Sequence, residues 1–177
     1  MNKLYFALLG KLILMAIPGL TQANQQQDRL LLQTSLWTKH FNPDPIHNNH
    51  QRLINLQWHP QGYAPRRLTE HYPQMDELDW FFGAARFKNS FSQTTHYAYI
   101  GGRLNFLQHQ MLQPYATITG GLIHGYRGEY QDKIPLNKFG VAPAFIPSIG
   151  VEYRKITTEF SFFGASGVML KMGYFFK

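Results

Sequence analysis

The sequence predicts an all-β fold, an eight-stranded antiparallel transmembrane β-barrel of the outer membrane, and three observations carry that expectation. Strict two-residue alternation of apolar and other side chains recurs after the first two dozen residues and is strongest at the C-terminus, where Val168, Leu170, Met172, Tyr174 and Phe176 alternate with Met169, Lys171, Gly173 and Phe175. Aromatic residues make up 15% of the chain and charged residues only 15%, where an aqueous domain carries nearer a quarter charged. The chain also opens on a segment built for export.

That segment spans 1–23. Lys3 gives the positive start, Leu4 to Leu20 is mostly apolar, and Thr21-Gln22-Ala23 offers a small residue for cleavage. Lys11, Pro18 and Gly19 cut the apolar run below the ~20 residues that a membrane-spanning helix needs. Residues 1–23 therefore read as a signal peptide cleaved near Ala23, and 24–177 as the barrel domain. Loss of Lys3 and Lys11 would lower the formal charge from +7 to +5. The remaining basic residues are scattered rather than blocked, which fits anionic lipid headgroups and not nucleic acid. The chain has no cysteine, which excludes the small disulfide-stapled secreted class.

Eight candidate strands lie near 30–41, 51–59, 78–88, 95–105, 113–125, 143–153, 156–163 and 166–176. Ile54, Leu56 and Trp58 share one face of the second, and Ile156, Thr158, Phe160 and Phe162 one face of the seventh. An even number of strands about ten residues long closes a single-chain barrel with both termini on the periplasmic side. Closure is required because an open strand edge in lipid leaves unpaired amides at several kcal/mol each. The external loops are then 42–50, 89–94, 126–142 and a tight turn at Gly164-Ala165. Residues 60–77, rich in proline, fit poorly, since periplasmic connections are normally short. Ile156, Phe160, Val168, Leu170 and Tyr174 should face lipid, and Glu159 and Lys171 should meet inside. A soluble β-sandwich or lipocalin-like barrel is the rival fold; it would bury the apolar stripes instead of exposing them. Trp80 to Ala85, Thr117 to Ile123 and Ala142 to Ile149 lack a clean polar face, so the interior is either a packed plug or a cavity for a hydrocarbon chain.

This topology brings His40, at the end of the first strand, and Ser90, at the end of the third, to the external rim. A histidine beside a serine can activate a hydroxyl for acyl transfer. Asp44, His47 and His50 have spacing that resembles a metal site but lack further fixed ligands. No phosphate-binding glycine loop occurs. No metal and no cofactor is expected.

The stretch Phe87-Lys88-Asn89-Ser90-Phe91 resembles the Phe-Lys-Asp-Ser-Trp motif of the lipid A palmitoyltransferases, the PagP family. Gly101 follows Ser90 by eleven residues, as a pocket-floor glycine does there. Thr119-Gly120-Gly121, Arg127, Ile134-Pro135-Leu136, Ile146-Pro147 and Ser148-Ile149-Gly150 then occur in the family's order, and Ser35 to His40 resembles the stretch carrying its essential histidine. The likeness covers about 83–176, is thin around His40 and is absent from 42 to 78.

The resemblance implies an enzyme that moves a palmitoyl chain from a glycerophospholipid donor to a lipid A acceptor in the outer leaflet, working as a monomer. It maps the catalytic set onto His40, Asn89 and Ser90, the chain-length floor onto Gly101, and lipid contacts onto Arg127, Pro143 and Pro147. The two prolines cannot donate to the sheet ladder and would leave a lateral gap for lipid. Two features depart from the family. Asn89 stands where its aspartate would be and can only orient a partner or donate a hydrogen bond, and no room remains for its N-terminal amphipathic helix. The alternative is a catalytically silent lipid-binding or structural outer-membrane barrel.

Overall fold

A computed structural model of the chain describes residues 27–107, 110–137 and 139–176. The expected signal peptide and its cleavage point lie outside the described residues. Eight strands follow in order: β1 (Arg29–His40), β2 (Ile54–His59), β3 (Asp79–Lys88), β4 (Thr94–Asn105), β5 (Leu112–His124), β6 (Val141–Tyr153), β7 (Ile156–Phe162) and β8 (Gly167–Phe176). Each pairs antiparallel with its neighbour in sequence, and β8 returns to β1, so the sheet is a closed barrel. Every expected strand is present. The largest boundary difference is at β2, which starts at Ile54 rather than 51.

The two faces of the wall are inverted relative to a soluble barrel. Outward side chains are apolar and exposed: Leu30 and Leu32 on β1, Ile54, Leu56 and Trp58 on β2, Ile118 and Leu122 on β5, Phe145 and Ile149 on β6, Ile156 and Phe160 on β7, and Tyr174 and Phe176 on β8. Val168 and Leu170 share that outer face, since Met169, Lys171 and Gly173 between them are buried. Inward side chains are mostly polar and buried, among them Gln33, Asn55, Gln57, Arg103, Thr157, Glu159 and Lys171. Such a continuous apolar exterior is stable only against hydrocarbon. No helix among the described residues is long and apolar enough to cross a membrane; the strands form the wall.

The half of the lumen nearest the chain termini is a packed plug. Glu152 accepts from Arg29 and, at 2.7 Å, from Arg103. The Arg103 guanidinium lies 3.8 Å from the centre of the Tyr115 ring, and that of Arg29 lies 3.6 Å from the centre of Phe175. Above this layer Glu159 and Lys171, directly paired across β7 and β8, meet at 2.6 Å. Glu159 also accepts from Tyr115 at 3.0 Å, which satisfies a second lone pair.

Residues 60–78 are a true insertion and not an extension of a strand. A one-and-a-half-turn helix, α1 (Arg66–His71), is followed by a 3-10 segment, Pro73–Glu77. The segment folds back against the outer wall, where Met75 accepts the Trp80 indole N–H at 2.9 Å. Leu78 covers Gly102, so a side chain there would have to push the end of Leu78 aside. The long connection thus hides an outer patch of β3 and β4 at the terminal rim.

Removing one partner of a buried ion pair leaves an uncompensated charge, which costs about 3–5 kcal/mol. Lys171→Met is therefore expected to lower the urea midpoint of the refolded barrel by an amount corresponding to that cost. The double variant Lys171→Met with Glu159→Leu should recover most of the loss. Equal midpoints for Lys171→Met and the unaltered protein would show that the pair contributes nothing to stability.

Candidate active site

His40 reaches the lumen because of a bulge. Along the lower part of β1, odd-numbered residues point inward, as buried Leu31 and Gln33 show. Continued alternation would turn Lys39 inward and His40 outward. The register of β1 on β8 instead shifts between Ser35 and Trp37, with Leu36 as the extra residue. Beyond it Thr38 is buried, Lys39 is exposed, and His40 turns toward the lumen.

Ser90 comes from the other side of the rim, in the short turn between β3 and β4. Asn89 shapes that turn. Its Oδ1 accepts the backbone N–H groups of Phe91 at 2.9 Å and Gln93 at 3.0 Å, a side-chain mimic of a turn. Its own N–H bonds Gln93 O, also at 2.9 Å. The Asn89 side chain is buried and its amide faces Gln93 and Gly125 rather than His40. Asn89 is thus a positioning residue for Ser90, and the catalytic contact mapped onto it by resemblance is not formed.

The two expected partners meet: His40 Nε2 lies 2.8 Å from Ser90 Oγ. On the far side of the ring, His40 Nδ1 lies 2.9 Å from Asn49 Oδ1. A carbonyl oxygen only accepts, so Nδ1 carries the proton and Nε2 is left to accept from the serine hydroxyl. Asn49 therefore takes the orienting place beside the histidine, nine residues further along the chain in the β1–β2 loop. The serine gives its one proton to Nε2, and the Tyr126 hydroxyl lies beside Ser90. Burial pushes the Tyr126 phenol above its ordinary pKa and keeps it protonated.

An aromatic column braces this group. His47 lies tilted against His40 with ring centres 4.6 Å apart, Phe91 meets His47 edge-on at 5.6 Å, and Tyr130 stacks on Phe91 at 4.0 Å. The column ties together the loops after β1, β3 and β5. Main-chain bonds add to it, with Asn48 N–H donating to Ser90 O at 2.7 Å. Arg127 joins from the third loop: Gln93 bonds its backbone on both sides, at 3.1 Å each, and its guanidinium contacts His124. Arg127 thus sits at the rim near the pair without touching it. His47 belongs to the column, and the metal-like spacing of Asp44, His47 and His50 forms no metal cluster among the described residues.

The wall is incompletely zipped at two places near this rim. The β6–β7 ladder begins only at Ser148 and Ser161, so Val141–Pro147 pairs with β5 alone. Pro143 and Pro147 both lie in this stretch. Lumen side chains bond its carbonyls instead, Tyr97 to Ala144 at 3.1 Å and Thr119 to Ile146 at 3.3 Å. The β1–β2 ladder likewise stops at Thr34 and Ile54. There a cleft opens between Ser35–Thr38 and Asn49–Arg52.

Gly101 faces inward, and Gly102 outward, as the resemblance requires. The space above Gly101 is not free, however. The Phe81 ring lies so close that a Cβ at Gly101 would be 2.4 Å from it. A small cavity of about 50 Å³ lies in the lumen, lined in part by Ala85, Phe87, Tyr99 and the Glu159–Lys171 pair, and neither Gly101 nor Phe81 lines it. Phe81, and not open space, thus stands over Gly101, the residue expected from the resemblance to set the chain length. Asn49, Tyr126 and the bulge at Leu36 were not foreseen. Loop residues and a register shift leave no trace in a two-residue period.

No family model matches the chain, and no curated protein does. Among solved structures, the chain is similar to the Yersinia pestis outer membrane protein Ail determined in a phospholipid bilayer nanodisc. The identity is 11%, with 85% of this chain and 99% of that chain covered and a TM-score of 0.40.

If Asn89 acts through the turn, Asn89→Ala should cost about 1–3 kcal/mol of loop stability from lost bonds to two backbone amides. Asn89→Asp, which keeps both acceptors, should cost little. Hydrogen exchange at Phe91 and Gln93 would check this: fast exchange in the alanine variant alone is expected.

Proposed function

We propose that this protein is an outer-membrane acyltransferase that moves an acyl chain from a glycerophospholipid to a hydroxyl of lipid A. The observation that carries the reading is the 2.8 Å contact of His40 Nε2 with Ser90 Oγ at the loop rim of an apolar-walled barrel. The resemblance of the 83–176 stretch to the PagP family supplies the substrates. The exposed apolar band supports residence in the outer membrane, with the loop rim outside and both termini in the periplasm.

The chemistry follows from the proton inventory. Ser90 Oγ attacks the donor's ester carbonyl while its proton passes to His40 Nε2. Asn49 holds the ring so that Nε2 stays aimed at the serine. The protonated Tyr126 hydroxyl beside Ser90 is the group we assign as donor to the carbonyl oxygen as charge develops on it. His40 returns the proton to the departing glycerol oxygen, which frees the lysophospholipid. The acceptor hydroxyl then attacks the acyl-serine, with His40 as base, and Ser90 regains its proton. Asn49 is neutral, so the imidazolium formed midway has no carboxylate beside it. The unzipped stretch at Pro143 and Pro147 supports a sideways route by which a chain passes from the leaflet into the lumen.

Ser90→Ala and His40→Ala should each lower acyl transfer by at least about a hundredfold, the scale of a lost nucleophile or general base, with a folded, heat-modifiable barrel retained. Deleting Leu36 should leave His40 facing inward, because removing the extra residue restores a regular strand with the same partners on β8. Mass spectrometry of lipid A from cells carrying each form reads the outcome. Unchanged acylation in the Ser90→Ala strain would leave the protein as a lipid-binding or structural barrel.

A further inference from the structure

The outer wall near the loop rim carries a row of basic side chains that neither the barrel nor the His40–Ser90 pair uses. On β3, β4 and β5 the even-numbered residues point outward, since Phe81, Tyr97, Tyr99 and Ile123 are buried. The register then sets Arg86, His96 and His124 side by side at one level of three adjacent strands. Lys88 stands one outward step above Arg86 and donates to its cross-strand partner Thr94 at 3.0 Å. His124 donates from Nδ1 to Gly140 O at 2.7 Å, so its Nε2 accepts from Arg127 and holds that guanidinium at the end of the row. The side chains of Arg86 and His96 are exposed, with no hydrogen bond, ion pair or ring contact among the described residues.

No acid on the wall offsets this row. The acidic residues of β2–β6 are Asp79 and Glu152, and both lie on the inner face. Like charges on adjacent strands are destabilising, yet Arg86, Lys88 and Arg127 are gathered within three strands with no outward carboxylate to relieve them. The row also has a fixed depth. Below it the outward residues of β5, from Leu122 down to Leu112, carry no polar side chain. Ten residues of strand tilted about 40° rise about 25 Å, the height of the lipid-facing band of an outer-membrane barrel. The basic groups therefore stand at headgroup level on the loop side. One outward step below them, Ala84 and Ala98 pair between exposed Leu56 and Leu122. The small side chains leave a shallow, smooth recess directly under Arg86 and His96.

We propose that the outer face of β3–β5 is a binding site for the phosphorylated glycolipid of the outer leaflet, lipid A. Arg86 and Lys88 hold one phosphate and Arg127 the other, His96 bonds the sugar backbone between them, and acyl chains lie over Ala84 and Ala98. The planar fork of an unpaired arginine suits a phosphate, which it can grip with two parallel N–H groups. Breadth favours lipid A over a glycerophospholipid. The cations stand at the two ends of the row, two strand spacings or about 10 Å apart. A ligand with a phosphate at each end of a disaccharide meets both, whereas a single phosphodiester meets one. The site lies outside the wall and shares no residue with the His40–Ser90 pair. The inference rests on the proposed orientation of the barrel, loop rim outward, and not on acyl transfer.

The test uses the full barrel, refolded in a nonionic detergent with a chelator present to remove bridging divalent ions. It is offered an equimolar mixture of bisphosphorylated lipid A, its fully dephosphorylated form and phosphatidylglycerol, and native mass spectrometry reads what is retained. Retention of bisphosphorylated lipid A over each of the others by about tenfold is expected, the scale of one charge-assisted contact. Arg86→Gln combined with His96→Gln should bring lipid A down to the level of its dephosphorylated form, and Arg86→Lys should keep part of the preference. Should the double variant fail to fold, Ala98→Phe fills the recess instead and should lower retention of lipid A. Ser90→Ala should bind as the unaltered protein does, so a protein without acyl transfer leaves the inference standing. Orientation is read separately, by labelling Asp44→Cys on intact cells with a membrane-impermeant maleimide, since the chain has no other cysteine. Labelling from outside is expected. Equal retention of phosphatidylglycerol, retention that ignores the phosphates, or unchanged retention in the folded wall variants would overturn the site. Selective retention with Asp44→Cys hidden from the label would overturn the orientation, and with it lipid A as the natural occupant.

Discussion

A strand wall in hydrocarbon has nowhere to place an unpaired amide except against another strand, and this requirement governs the molecule. It forces β8 back onto β1, makes the outer face apolar, and drives nearly every polar side chain inward. The interior then has to neutralise what it has gathered. Glu152 shared by Arg29 and Arg103, and Glu159 set against Lys171, are the result. Each pair is further bonded or stacked on an aromatic ring, which is the condition under which buried charge can be tolerated.

The wall relaxes this requirement only toward the loop rim. There the β1–β2 and β6–β7 ladders end early, and side chains such as Thr34, Ser35, Tyr97 and Thr119 take over main-chain bonding. Those stretches sit beside the His40–Ser90 pair and not beside the plug. The wall is thus strong at the end of the packed ion pairs and looser at the end of the loops. The three longer loops, tied by the His40–His47–Phe91–Tyr130 column, hold the pair in place above the opening.

The site is assembled from small backbone devices more than from a motif. An extra residue at Leu36 rotates the end of β1 by one face. Asn89 rolls the β3–β4 turn so that Ser90 projects. Asn49 arrives from a loop with no regular structure. The aspartate that the PagP resemblance would place beside Ser90 is absent, and the asparagine there serves the turn. The histidine is oriented instead by Asn49 on a different loop, a neutral acceptor that fixes the tautomer.

The sequence by itself determined the number, order and outer face of the strands, because lipid on one side and a packed lumen on the other impose a strict period of two. It determined the pairing of Glu159 with Lys171 for the same reason: equal positions on adjacent strands of known parity must meet. It also brought His40 and Ser90 to one rim through topology alone. Parity fails wherever a residue is inserted, so the inward turn of His40 needed the register of β1 on β8. Alternation is likewise silent about whether Gly101 or Gly102 faces inward, and about what fills the space in front of it. Phe81 over Gly101 and Tyr99 over Gly83, twenty and sixteen positions apart, become cross-strand contacts only once the ladder is drawn. What stands over each inward glycine is a property of those contacts, and so only the tertiary structure decided it.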